Sequence, residues 1–215
     1  LEVLLPQAPL IFPSSYRRPY ATEETENATV LLRAEVLQKI KNTPRQLVIT
    51  YPEALSEQVL TPKELQRKTL AIKKGDELSI DFVNETLFDF GFQRVDFVSE
   101  PGEFAVRGGI LDVHSYSHEE PFRIEFFGDE IDTIRSFDVT SQRSTQALDA
   151  IQVLANIEQK ELDEKRQSLL SFIDQGSLIC VQNTSAVQAS LDHLFTHAEK
   201  SVSYTHLTLP TNWAV

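Results

Sequence analysis

The 215-residue chain has no methionine, one cysteine and only seven glycines. Translation begins at methionine, so its absence leads us to expect a piece of a longer protein. A lone cysteine, Cys180, excludes an intramolecular disulfide and a cysteine-based zinc centre. Its neighbours in Ser177-Leu-Ile-Cys-Val181 are apolar, which points to a buried, inert thiol. None of the seven glycines is followed by lysine, so the G-x-x-x-x-G-K-[ST] loop that cradles nucleotide phosphates is not encoded. No apolar run approaches the roughly 18 residues of a membrane span, and no basic stretch followed by an apolar one opens the chain as a secretory leader would. Basic residues are the minority, 20 Lys+Arg against 32 Asp+Glu, for a net charge of −12. Phosphate backbones need clustered cations, so a free-standing nucleic-acid binder is not expected. The expected setting is reducing and cytoplasmic, with no membrane.

A hydrophobic fraction of 41% can support a core. Residues 10–12 read as the end of a strand stopped by Pro13, followed by a loop with Arg17, Arg18 and Tyr20. Asn27 can cap a helix to about Lys41, with Val30, Ala34 and Leu37 on one stripe. Residues 47–51 (Leu-Val-Ile-Thr-Tyr) read as a buried parallel strand, and Thr61-Pro-Lys-Glu64 as a capping box with proline at the first helical position. Residues 1–67 therefore have α/β texture.

The middle is different. Residues 69–73 form a strand, then Ser79 caps a helix with Ile80, Val83, Leu87 and Phe90 on one side, ended by Gly91. Strand-like segments follow at 92–98, 104–107, 110–114, 122–127 and 131–137, separated by Pro and Gly pairs, as in antiparallel sheet. Arg67–Arg143 is also the more acidic part, with 16 acidic and 9 basic residues. This predicts a β-rich domain over 68–155. Residues 158–174 then read as a charged helix, 177–181 as a second buried strand, and 185 to about 200 as a helix, so 156–200 re-enter the α/β layer. The fold class is α/β with an α+β insertion. Residues 201–215 contain no Asp, Glu, Lys or Arg and read as a non-native tail, with an edge strand as the alternative.

Catalytic or metal chemistry finds little support. His193 and His197 have i,i+4 metal-ligand spacing, but no general-base glutamate lies between them and no third ligand is evident, so they read as solvated helix residues. His114 and His118 show no partner pattern. Phe126-Phe-Gly-Asp-Glu130 resembles a magnesium-binding acidic box but reads as a hairpin turn.

Alternation along the central strands is more informative. In Phe122-Arg-Ile-Glu-Phe-Phe127, Phe122, Ile124 and Phe126 share one face, and Arg123, Glu125 and Phe127 the other. In Phe104-Ala-Val-Arg107, Ala105 and Arg107 lie opposite Phe104 and Val106. An outer face carrying arginines and an aromatic has the composition of protein-binding hot spots, and equally that of a solvated face with a stray phenylalanine. Periodicity leaves both readings open.

Three strings carry a family resemblance: Phe92-Gln-Arg-Val-Asp96, Glu100-Pro-Gly-Glu-Phe-Ala-Val-Arg-Gly-Gly-Ile-Leu-Asp-Val113, and Arg123-Ile-Glu-Phe-Phe-Gly-Asp-Glu-Ile-Asp132 followed by Ile134-Arg-Ser-Phe-Asp138. With Phe12-Pro-Ser-Ser-Tyr-Arg-Arg18 and Val48-Ile-Thr-Tyr-Pro-Glu-Ala54, they make residues 1–200 resemble the N-terminal, UvrB-homology module of the bacterial transcription-repair coupling factors (the Mfd family). The excision-repair protein UvrB has a looser version of the pattern. The resemblance implies a degenerate helicase-like α/β domain carrying a small β-rich antiparallel domain that binds UvrA. It implies recruitment of UvrA to stalled RNA polymerase in nucleotide excision repair. The implied contact residues are Arg107, Arg123 and Phe127, with Glu125 and Asp129 beside them and Arg94 further off. One arginine of UvrB is replaced by Ala105. RNA polymerase and double-stranded DNA are implied partners of the full-length parent. ATP and magnesium are implied only for its motor, so no catalytic residue and no cofactor is assigned to this chain. The alternative is a UvrB-like or helicase-like ATPase lobe truncated before its nucleotide site.

Overall fold

The computed structural model describes residues 8–15, 27–43, 45–159 and 164–205, leaving aside the side chains of 27 and 197–205. The loop with Arg17, Arg18 and Tyr20 lies outside the described residues.

The chain opens with β1 (Leu10–Ile11), α1 (Asn27–Asn42) and β2 (Val48–Ile49), and β1 pairs parallel with β2. Then come α2 (Pro52–Ser56), β3 (Gln58–Leu60) and α3 (Pro62–Arg67). Thr61 caps α3 by accepting a hydrogen bond from the Glu64 N–H, and Pro62 stands at its start. That satisfies one of the free N–H groups at the helix start.

The middle of the chain runs β4 (Thr69–Lys73), α4 (Ile80–Asp89), β5 (Gln93–Arg94), β6 (Glu103–Arg107), β7 (Ile110–Val113), β8 (Phe122–Phe127), β9 (Glu130–Phe137), β10 (Ser144–Leu148) and β11 (Ala150–Leu154). Ser79 caps α4, and Gly91, at φ +78°, ends it. Six strands form one sheet in the order β10-β9-β8-β7-β6-β5, antiparallel except for the parallel β5–β6 pair. The β8–β9 hairpin turns at Gly128-Asp129, where Gly128 takes φ +65°, the sign a type II′ turn requires at its first position. β4 and β11 pair separately as an antiparallel ribbon.

The last part holds β12 (Arg166–Ser168), which pairs with β3, then α5 (Leu169–Phe172) and α6 (Thr184–Thr205).

Buried apolar residues gather in two main clusters. One joins Phe12, Val30, Ala34, Leu37, Leu60 and Leu65 with Leu154, Leu169 and Phe172. The other joins Val83 and Leu87 of α4 with Phe104, Leu111, Val113, Phe122 and Ile124 of the sheet and with Ile72 and Val153 of the ribbon. Tyr116 packs against both, and Ser115 and Ser117 hydrogen-bond the backbone of β11.

Several expectations fail. The helix expected over 158–174 is replaced among the described residues by β12 and the four-residue α5, because β12 finds β3 as a hydrogen-bonding partner. The segment 177–181 is not a strand: no partner lies beside it among the described residues, Leu178 is 90% exposed, and Cys180 is exposed rather than buried. β2 is short and only half-buried at Val48, with Ile49 exposed. Of the strand expected at 92–98, only Gln93–Arg94 pairs. β10 and β11 lie between the expected elements. α6 continues through Thr205, five residues into the segment set apart as a tail. No described helix is long and apolar enough to cross a membrane.

Candidate protein-interaction surface

The six-stranded sheet has one face in the core and one turned outward. Phe104, Leu111, Val113, Phe122, Ile124, Ile131 and Ile134 point inward and are buried. Registered partners across a ladder share a face, so the pairs Arg107↔Ile110, Ala105↔Asp112, Asp112↔Arg123, Ile110↔Glu125 and Arg123↔Arg135 place all of these residues on the outer side.

Asp112 sits at the centre of that side. Only 1% of its side chain is exposed, so its charge requires partners. Arg123 supplies two, Nε donating to Oδ1 at 2.7 Å and Nη2 to Oδ2 at 2.9 Å. Arg107 adds a third, Nη2 donating to Oδ2 at 2.5 Å. The fork on Asp112 holds the Arg123 guanidinium above its ordinary pKa: the hydrogen bond leads, opposed by desolvation and helped by the charges of Asp112 and Glu125. Each guanidinium also lies against an aromatic ring, Arg123 at 4.5 Å from Phe137 and Arg107 at 5.1 Å from Phe97. Beside them Arg135 pairs with Glu125, which also accepts from Thr133 Oγ1 at 3.0 Å. Phe97, Ile110, Arg135 and Glu125 line a shallow depression of about 380 Å³ together with Arg107 and Arg123.

The model of the UvrB interaction domain family matches residues 70–158, the stretch that contains α4, this sheet and the ribbon. Those residues belong to the UvrB interaction domain family. Among curated relatives, the transcription-repair-coupling factor of Haemophilus influenzae is 36% identical over 154 residues, 72% of this chain and 13% of that protein. That of Bacillus subtilis is 34% identical over 145 residues, covering 67% and 12%. That of Mycobacterium tuberculosis is 42% identical over 106 residues, covering 49% and 8%. The chain thus spans about an eighth of the length of the first two relatives.

Within the UvrB interaction domain, the residues marked out by alternation are partly united. Arg107, Arg123 and Glu125 form one cluster. Phe127 lies on the same outer face, paired with Glu130 at the hairpin end, and is 82% exposed. A register shift after Glu125 is absorbed on β9, which keeps Phe126 inward against Ile131 and Phe127 outward. Asp129 is exposed in the adjoining turn. Arg94 is not brought to the cluster: it is exposed on the edge strand β5, in register with Phe104, on the opposite side of the sheet. Ala105 is buried with Val98 and Phe137 in a small outer cluster, so a larger side chain there would displace one of them.

Three residues escaped the sequence reading. Asp112 and Arg135 were accessible to it, since alternation along Ile110-Leu-Asp-Val113 and Ile131–Phe137 assigns both to the outer face. Phe97 was not, because its place depends on the loop between β5 and β6. That loop is held by Val98 in the outer cluster and by Glu103, whose carboxylate accepts from the Ser99 and Glu100 N–H groups. Desolvation would raise the Glu103 pKa, but those hydrogen bonds outweigh it and lower it.

Proposed function

We propose that this chain is the UvrA-recruiting part of a transcription-repair coupling factor, acting in nucleotide excision repair and binding UvrA through the outer face of the 70–158 sheet. The observation that carries the reading is the coincidence of the family match with a face that presents Arg107, Arg123 and a highly exposed Phe127. An exposed phenylalanine beside ordered arginines is the composition of an interface hot spot. On a chain of net charge −12 the depression carries three arginines against two carboxylates, while Asp129 and Glu130 flank the Phe127 end of the same face. Binding should therefore rest on local pairing and weaken only moderately with salt.

In this reading 68–155 is the working domain, and 1–67 with 156–200 belong to a degenerate helicase-like α/β domain. The parallel β1–β2 pair with α1 between its strands, and the separate apolar cluster around them, support that division. The full-length parent would engage RNA polymerase and double-stranded DNA in the cytoplasm, with ATP and magnesium belonging to its motor and no enzymatic step to this part.

The test is a titration of UvrA with the chain and with Arg123→Ala and Phe127→Ala, each checked for folding by circular dichroism. Truncating Phe127 should cost about 2 kcal/mol of binding with the fold intact, since its side chain lies outside the core. Parent-like affinity in both folded variants would remove this surface from the reading.

A further inference from the structure

The middle of the outer face is a buried carboxylate flanked by two arginines that are only partly buried. Arg107 is the more open, with 42% of its side chain exposed against 18% for Arg123. A guanidinium has five N–H donors. Arg107 uses one on Asp112 and reaches the Asp96 carbonyl with a long contact of 3.5 Å. Each guanidinium is held on one side by Asp112 and on another by a ring. Phe137 is fully buried, so the ring beside Arg123 is fixed. Phe97 is 66% exposed, yet the backbone around it is anchored by Val98 and Glu103. A long side chain normally loses its rotamer freedom when a partner docks. One already clamped has lost it beforehand, so less of the interaction energy is offset on binding.

We propose that Asp112 is the positioning residue of this surface, with Phe97 as its counterpart on Arg107, and that the arginine pair so held receives carboxylates of an acidic partner segment. Asp112 makes no contact with the partner itself: it lies beneath the guanidiniums, and the incoming carboxylates take chiefly the open donors of Arg107, since Arg123 also reaches the Gln142 carbonyl and Oε1 at 3.4 Å each. The three arginines against two carboxylates of this cluster give the complementarity that an acidic segment needs. The inference rests on the reading of UvrA as the partner and adds which chemistry of UvrA is engaged.

Its test is a pair of double-mutant cycles, in which UvrA is titrated with the full 215-residue chain. One cycle combines Asp112→Asn with Arg107→Ala, the other Phe97→Ala with Arg107→Ala. Asp112→Asn alone should weaken binding about tenfold, and each cycle should show coupling of at least about threefold, because both residues act through Arg107. A merely structural role would shift the thermal midpoint and leave the mutational effects multiplicative. Parent-like affinity in folded Asp112→Asn, or independent effects in the cycles, overturns the proposal. Should Asp112→Asn fail to fold, the Phe97 cycle decides alone, since Phe97 contributes little to the core. If the Arg107→Ala, Arg123→Ala double variant binds UvrA like the parent, the UvrA reading falls and takes this inference with it. If that variant loses binding while Asp112→Asn does not, only the positioning role falls.

Discussion

In the 70–158 region, the inner face of the sheet is closed by Val83 and Leu87 of α4 and by the β4–β11 ribbon. The α/β elements on either side are less complete. β1 and β2 pair in parallel, an arrangement usually covered on both faces, yet Ile11, Leu47, Ile49 and Tyr51 stay exposed. Leu178, Ile179 and Val181 are exposed as well. The β-rich region thus builds its own core from contiguous strands and one capped helix. The flanking elements depend on contacts between distant stretches, and above all on one buried cation.

That cation is Arg33, fully buried on α1. It pairs with Glu158 at 2.7 Å and Glu57 at 2.9 Å, donates to the Pro13 carbonyl at 2.6 Å, and lies 4.4 Å from the Phe12 ring. Arg33→Ala should have the largest effect, destabilising the flanking region by about 3–5 kcal/mol, because it breaks a buried ion pair and empties the fully buried site that the guanidinium fills beside Phe12. Hydrogen exchange should then show α1 amides losing protection while those of β6–β9 keep theirs. If both regions lose protection together, they are one cooperative unit and the contrast dissolves.

A second, smaller effect should belong to the β-rich region. His114 is buried, and its pKa is lowered chiefly by desolvation, which outweighs its hydrogen bond to the Glu119 carbonyl and the charge of Glu103. The unfolded histidine takes up a proton near pH 6.5, whereas the folded one resists it. Stability should therefore be fully present above that pH and decline below it until the lowered folded pKa is reached. Midpoints measured from pH 7.5 to 5 should fall on acidification, and His114→Gln should flatten that slope. An unchanged slope would mean that another group governs acid sensitivity here.

The smallest effect is expected at Leu178. With its side chain almost wholly in solvent, Leu178→Ser should change stability by no more than about 0.5 kcal/mol. A loss of a few kcal/mol in urea unfolding would show that the flanking region buries this segment after all.

Legibility in the sequence follows the same divide. The β-rich region was readable because its signals are local: Ser79 and Gly91 bound α4, Gly128 makes the hairpin turn, and Phe122 and Ile124 alternate with Arg123 and Glu125. The flanks were misread where local pattern and distant pairing disagree. Residues 166–168 form strand because β3 offers an edge, and the apolar run at 177–181 stays unpaired among the described residues. At the candidate surface, alternation was enough to group Arg107, Arg123, Glu125 and Phe127. Arg94, singled out only by the resemblance, lies apart from that group because its face is set by pairing with β6.

The sequence by itself determined which residues face outward on the central strands, where α3 and α4 are capped, and that no phosphate loop is encoded. Those properties depend on neighbours one to four residues apart. Only the tertiary structure decided that Asp112 is buried beneath two arginines, that Phe97 lies against one of them, and that Cys180 is exposed. A strand's period assigns a side chain to a face, but what covers that face comes from segments distant in sequence, whose pairing no local pattern encodes.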